Sequence, residues 1–446
     1  MSIAKALKTD EGIARSSHFD LAAAPLKQHD VYTVTVDGKE QTVFTVLVDG
    51  GALAPPTTTD PCRQPTNASF VLLQLQRSQT AKVVVSLQQS DVRSQEAEAV
   101  LRPAPVCGPA PPIVRRADGK AGQPHWQFDV QVPGRWVLEI GGRFEQATLA
   151  AGLMIFAEYI DDSPPPEVAK SVTYFAPGVH RLPLQPSWHL DGEGRGMQLV
   201  NNSVVYLAPG AVVLGSLVGN YVSNVTVRGA GILAAAFLPK AAAPCTAATP
   251  ATSCRNNCSA SHGIFIDGGR NITIEGITIV QATNWNVFLK SASNVRIDRL
   301  KIVGWKIYND GIDLSSSDDV VIADSFIRSD DDSVSIKGTD RNRNAENIIV
   351  RNSILFNQAH GNCMEVCAYC CVPLCPACMC LADTLLCHFV DRVRAQLRTS
   401  SQHHFRQQRV LAPKRKRGVN SQRWPSAGQR DPLHQHRSAH ASVAKL

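Results

Sequence analysis

The sequence predicts an all-β protein: a right-handed parallel β-helix preceded by a β-sandwich domain. Three observations carry that expectation. A strand-like phrase recurs five times from Asn224 onward, mostly at a spacing near two dozen residues. The stretch before it, residues 31–160, breaks into short apolar segments with no helical period. A proline-rich segment, DDSPPPEVAK, separates the two.

Composition sets the outer bounds. The chain has 446 residues, 44% hydrophobic and 19% charged, enough for two or three domains with sizeable cores. No run approaches the eighteen or so apolar residues of a spanning helix, so no membrane association is expected. Residues 1–30 lack an apolar core and a cleavage site; they read as a disordered start without a secretory signal. The net charge of +7 is lopsided, because residues 367–446 hold 13 Lys/Arg against 3 Asp/Glu. The rest is slightly acidic, and nothing in it suits a nucleic acid.

Residues 31–160 contain VYTVTV, QTVFTVLV, SFVLLQLQ, AKVVVSLQQ, WQFDVQV, RWVLEI and LMIFAEYI between turn residues, the pattern of a sandwich. Residues 161–170 are the linker. From 171 to 366 the phrases are NVTVRGAGIL, NITIEGITIV, NVRIDRLKIV, DVVIADSFIR and NIIVRNSILF, starting at Asn224, Asn271, Asn294, Asp319 and Asn347. The steps are 47, 23, 25 and 28 residues, which reads as one unit repeated with a double step. Such a unit cannot bury its apolar side alone; stacked about 4.8 Å apart, the units share a continuous core. The Asn or Asp that opens each phrase suits a turn, as do the sequon residues Asn224, Asn257 and Asn271. Residues 367–446 are Cys-rich and then basic. A zinc site from Cys367, Cys370, Cys375 and Cys378 is disfavoured by the short gap between the pairs, and KRKR at Lys414 to Arg417 suggests a basic tail. The adopted reading is a disordered or out-of-frame segment. Cys245, Cys254 and Cys258 suit a local disulfide.

Chemistry concentrates in WKIYNDGIDLSSSDDVVIADSFIRSDDDSVSIKG, Trp305 to Gly338. Asp331 follows Asp310 by 21 residues, about one turn of a coil, which places Asp310 and the Asp331–Asp332 pair on neighbouring rungs. For both members of the pair to reach solvent they must sit at a bend between strands. Crowded carboxylates raise at least one pKa, leaving an acid beside a base, as glycosidic cleavage requires. Asp313, Asp318, Asp324 and Asp330 read instead as turn-capping residues, as does Asp319.

NDGIDL followed by SDDDSVSIKG resembles glycoside hydrolase family 28, the polygalacturonases. The resemblance implies an inverting hydrolase in which Asp331 is the general acid while Asp310 and Asp332 hold and deprotonate water. AHGNCMEV puts His360 at the family's Gly-His-Gly position, where an imidazole would tune the acid pair. The family's later Arg-Ile-Lys motif is absent. Substrate contacts are expected from Asn309, Lys337 and Trp305; Trp285, Trp305 and Tyr308 are candidates either for stacking on sugars or for the core. The sandwich, with YFAPGVHRLPL, VVYLAPGAVVLGSL and VTVRGAGIL, looks like the related family 49 dextranases, so a glucan is the alternative substrate. A decayed carbohydrate-binding coil is a further alternative. The resemblance implies a monomer acting outside the cell on a polysaccharide, with no cofactor and no metal.

Overall fold

The computed structural model describes residues 26–28, 32–46, 68–87, 98–102, 114–116, 125–140, 152–186, 193–235, 262–280, 282, 284–304, 309–329, 331–340, 342–357, 361–368, 378–380, 390–397 and 443–445. The expectations placed on residues 1–25, Asn257, the Cys245–Cys258 loop, Cys370 and Cys375, Asp330, Lys414–Arg417, Trp305, Tyr308 and His360 lie outside the described residues. Within them the protein is built of strands.

Two sheets form the sandwich. One runs Leu26–Gln28, Val43–Val46, Ala68–Leu75, Gly152–Tyr159, Gly134–Ile140, Ala99–Arg102. The other runs Lys39–Gln41, Tyr32–Val36, Ala81–Leu87, His125–Val130, Arg115–Arg116. Alternation along Ala81–Leu87 buries Ala81, Val83, Val85 and Leu87 and leaves Lys82 in water, the period-two signature of a sheet with one face in a core. Those residues meet Val71, Leu73, Leu138 and Ile155 of the facing sheet, with Trp126 and Phe128 between.

The coil has three faces. The first is formed by Val172–Phe175, Ser203–Leu207, Ser223–Gly229, Arg270–Glu275, Ser293–Asp298, Asp318–Ala323 and the first half of Ala345–Asn357. The second holds Gly178–Arg181, Ala211–Leu214, Ile232–Ala234, Thr278–Val280, Lys301–Val303, Phe326–Ser329 and the end of Ala345–Asn357. The third holds Glu193–Gln198, Ser216–Asn220, Ile264–Asp267, Val287–Lys290, Ile312–Ser315, Val334–Gly338 and Met364–Ala368. From Ser203 to Cys367, neighbouring rungs pair in parallel on all three faces, in register. Each repeated phrase therefore supplies a first-face strand and then a second-face strand. Their inward Val, Ile and Leu side chains form one continuous core, each worth roughly 1.5–3 kcal/mol on burial.

The 47-residue step is corrected by the structure. Ser223–Gly229 pairs directly with Arg270–Glu275, so the step is one rung carrying a long connection between Ala234 and Ile264, not two rungs. Spacing counts residues, and an insertion at a corner looks like an extra rung.

The corners differ. Between first and second faces the connection is two residues in four successive rungs, from Ser223 to Phe326. Between third and first it is also two residues, from Asn220 to Asp318. The corner between second and third faces varies freely. At the third-to-first corner Asn224, Asn271, Asn294, Asp319 and Asn347 all have φ near +50 to +56°, a left-handed conformation that Asn and Asp tolerate better than most residues. Their side chains stack. Asn224 Nδ2 donates to Asn202 at 2.8 Å, Asn271 to Asn224 at 2.9 Å, Asn294 to Asn271 at 2.7 Å and Asn347 to Asp319 at 3.0 Å. The turn reading of these residues is met.

The sandwich packs on the second face. Phe44, Phe70, Met154 and Phe156 cover Val212, Leu214, Ile232, Val280, Val303 and Phe326, with the Phe156 and Phe326 rings 5.0 Å apart. A charged cluster borders this seam: Glu158 meets Arg135 at 2.6 Å, Lys301 at 3.5 Å and Arg299 at 3.7 Å. Asp161, just beyond the sandwich, accepts from Arg228 at 2.9 Å and Tyr206 at 3.1 Å. From the tail, Val390–Leu397 lies antiparallel along Ala345–Asn357, and Cys378–Cys380 along Met364–Ala368.

Candidate active site

The site lies at the variable corner, where chain enters the third face. Backbone bonds stack four residues there on successive rungs: the Asn286 N–H donates to Asp310 O at 2.8 Å, Gly311 N–H to Asp332 O at 2.8 Å, and Ser333 N–H to Asn362 O at 2.8 Å. Asp310 and Asp332 are thus held one above the other. Asp331 and Asp332 occupy the bend between Phe326–Ser329 and Val334–Gly338, as two adjacent outward-reaching acids require. Ser329 Oγ fixes that bend by donating to Asp331 O at 2.8 Å. Glycine is needed twice. A Cβ at Gly311 would collide with Ser333 O and Ile327, and one at Gly361, whose φ is +69°, would collide with the Asp331 carboxylate and the Asp332 amide.

The structure brings Asp310, Asp331 and Asp332 together and adds two acids. Asp313 is fully buried, on the outward side of Ile312–Ser315, in one column with Phe288, Ser335 and Glu365. Its assignment to turn capping is therefore corrected. Lys337 Nζ bonds the Asp313 carboxylate and lies 3.5 Å from Asp310 Oδ2. Asp332 Oδ1 accepts from the Asn362 N–H at 2.6 Å and Nδ2 at 3.3 Å. Its carboxyl also hydrogen-bonds Glu365, which is held by Ser335 Oγ at 2.8 Å. The Asp332 N–H donates to Asp331 Oδ1 at 3.1 Å.

Among the described residues, five carboxyl groups cluster with one ammonium, which touches Asp310 and Asp313, and their protonation follows. Burial, reinforced by Asp313 and by the Asp331–Asp332 pair and only partly offset by Lys337, holds Asp310 well above the usual carboxylate range. Burial raises Asp313 to about 6 against the pull of Lys337. Burial and the Glu365 carboxyl push Asp332 up to about 8. Burial would lower the Lys337 ammonium, but Asp313 and Asp310 outweigh it and raise it. The groups titrate together, so the cluster keeps protons at neutrality as a unit.

The expected substrate residues divide. Asn309 is 0% exposed and cannot touch substrate. Its Nδ2 donates to Ala282 O at 2.7 Å and Asn284 O at 2.9 Å, which pins the preceding rung's turn. Lys337 is committed to Asp313 and Asp310, with its Nζ also 4.1 Å from the centre of the Trp285 ring. Of the other aspartates, Asp318 pairs with Arg343 at 2.6 Å, and Asp319 joins the turn ladder. The missed acids were traceable. Alternation from Ile312 points Asp313 outward, and the rung register puts Glu365 in the same column.

Fold and site together define a parallel β-helix protein that carries a buried carboxyl cluster at one corner. Residues 210–362 match the model of glycosyl hydrolases family 28. The chain is 36% identical over 105 residues to exopolygalacturonase X-2 of Emericella nidulans, covering 22% of each protein. It is 37% identical over 82 residues to exopolygalacturonase clone GBGE184 of Arabidopsis thaliana, covering 18% of this chain and 19% of that one. The matched part spans about a fifth of each relative's length. The fold is similar to Dex49A from Penicillium minioluteum, with a TM-score of 0.51 at 15% identity over 79% of this chain and 77% of that one. The likeness to family 28 is thus confined to residues 210–362, a segment that contains all four clustered aspartates, and the likeness to Dex49A is one of fold.

Proposed function

We propose that the protein is an inverting glycoside hydrolase that cleaves a polysaccharide, polygalacturonase-like, by general acid/base catalysis. The carrying observation is the clustering of Asp310, Asp331 and Asp332 with Asp313 and Glu365, where among the described residues carboxyls outnumber cations and burial keeps protons at neutral pH. Asp331, the least buried of the three, gives its proton to the leaving glycosidic oxygen as the bond to the anomeric carbon breaks. Asp310 and Asp332 hold a water whose oxygen attacks that carbon from the opposite face, and its proton passes to whichever of the two carboxyls is ionised, since the cluster titrates as a unit. Lys337 fixes the Asp310 carboxyl and favours its ionised form. His360, immediately before Gly361, tunes the pair.

Polygalacturonan is the first substrate to try, because both curated relatives carry it in their names; dextran is the second. A polymer of this kind is met outside the cell, and the disulfide at Cys363 suits an oxidising compartment. We place the protein there as a monomer.

Reducing-sugar release from polygalacturonate and dextran, beside Asp331→Asn, tests the reading. Sugar release lost in the variant, with proton NMR showing an inverted anomer first, is the expected result. Unsaturated ultraviolet-absorbing products, or activity that survives Asp331→Asn, would overturn it.

A further inference from the structure

Beside the acid cluster the third face carries a group of rings that hydrolysis does not use. Phe265 and Phe288 stand in the same outward column as Asp313, two rungs and one rung before it respectively. Trp285 meets Phe288 edge-on at 4.7 Å, and His262 lies 5.2–5.6 Å from Phe265, Trp285 and Phe288. Phe265 and Phe288 are 5.0 Å apart. His262 and Phe265 are buried, whereas Trp285 and Phe288 keep part of their surface in water.

Two connections tie these rings to the acids. The Lys337 ammonium that holds Asp313 and Asp310 sits over the Trp285 ring. The turn bearing Trp285 is fixed by Asn309 through Ala282 O and Asn284 O, and by Asn286, whose N–H and Nδ2 both donate to Asp310 O at 2.8 Å. The rings and Asp310 are therefore set in one rigid frame.

We propose that Trp285 and Phe288, backed by His262 and Phe265, form a stacking subsite for a pyranose ring of the glycan. This rests on the hydrolase reading and deepens it. One face of a pyranose presents C–H groups that pack on an aromatic ring while its hydroxyls remain in water, which is what a partly exposed Trp or Phe offers. Rungs are about 4.8 Å apart, a rise of the same order as the length of one sugar unit. A glycan lying along the coil axis then places one ring over Phe288 and a neighbouring unit at Asp310 and Asp331.

The test uses the full chain carrying Asp331→Asn, titrated by calorimetry and tryptophan fluorescence with oligogalacturonides and with isomalto-oligosaccharides of matched length. Whichever series binds identifies the sugar. Trp285→Leu, apolar but without a ring, should weaken that binding about 3- to 10-fold, the scale of an aromatic contact. Trp285→Phe should retain most of it, and Phe288→Leu should match Trp285→Leu. Equal binding by the Leu and Phe variants, with unchanged thermal midpoints, would overturn the subsite, as would no binding of either series. Binding that depends on Trp285 in a protein without turnover would support the subsite and remove the hydrolase reading. Turnover with ring-independent binding would do the reverse.

Discussion

Two charge clusters among the described residues are built on opposite principles. At the seam between sandwich and coil, Glu158 faces Arg135, Arg299 and Lys301, while Asp298 and Glu275 hold Arg299 from the other side. Charges of both signs are nearly matched, and three cations draw Glu158 below the usual carboxylate range despite its burial. On the third face five acids share one lysine, and burial pushes Asp310, Asp313 and Asp332 up. A matched cluster holds parts together; an unmatched one costs stability and stores protons for chemistry.

Neutralising a charge should therefore have opposite consequences in the two places. Asp331→Asn should lower turnover roughly 10²–10⁴-fold while the thermal midpoint stays level or rises. A large fall in midpoint would show that the acids are structural. Glu158→Gln should do the reverse, leaving three cations facing one another. Urea denaturation should show a loss of about 3–5 kcal/mol, with kcat of the remaining folded protein near wild type. An unchanged denaturation midpoint would break the contrast.

The pH dependence of stability sharpens it. Asp332 has a folded pKa of about 8, above its unfolded value. Between those values the native state binds more protons than the unfolded state, so stability falls as pH rises from about 4 to 8. Glu158, with its lowered pKa, contributes stability above its unfolded value and loses it as pH falls. Melting curves across pH should show the alkaline loss flattened in Asp332→Asn and the acid loss flattened in Glu158→Gln. The smallest effect is expected from Glu365→Gln. Removing that carboxyl lets Asp332 release its proton more easily, so the acid limb of kcat/KM, which a base sets, should move to lower pH. A limb that stays put would separate Glu365 from the chemistry.

Much of the coil was legible because its logic is local. Alternating Val and Ile in NITIEGITIV and NVRIDRLKIV can only face inward when stacked, and the Asn or Asp that opens each phrase marks the same left-handed corner every time. Asp310 and the Asp331–Asp332 pair could be aligned by counting one rung. Asp313 and Glu365 were harder, since their meaning depends on which residues stand opposite in adjacent rungs. Asn309 misled because an amide next to an acid looks available to substrate, yet its side chain turns inward to hold the Ala282–Asn284 backbone. The seam was invisible in the sequence: Glu158 and Lys301 are 143 residues apart, and nothing local announces that a sandwich strand will cover the second face.

The constancy of two corners and the freedom of the third have a consequence for how such a protein can change. Loops between the second and third faces range from a single residue, Gly215, to the long excursion after Ala234, without shifting any strand from its partner. New recognition surfaces can therefore be grafted beside the acids, or trimmed away, while the scaffold beneath keeps its alignment.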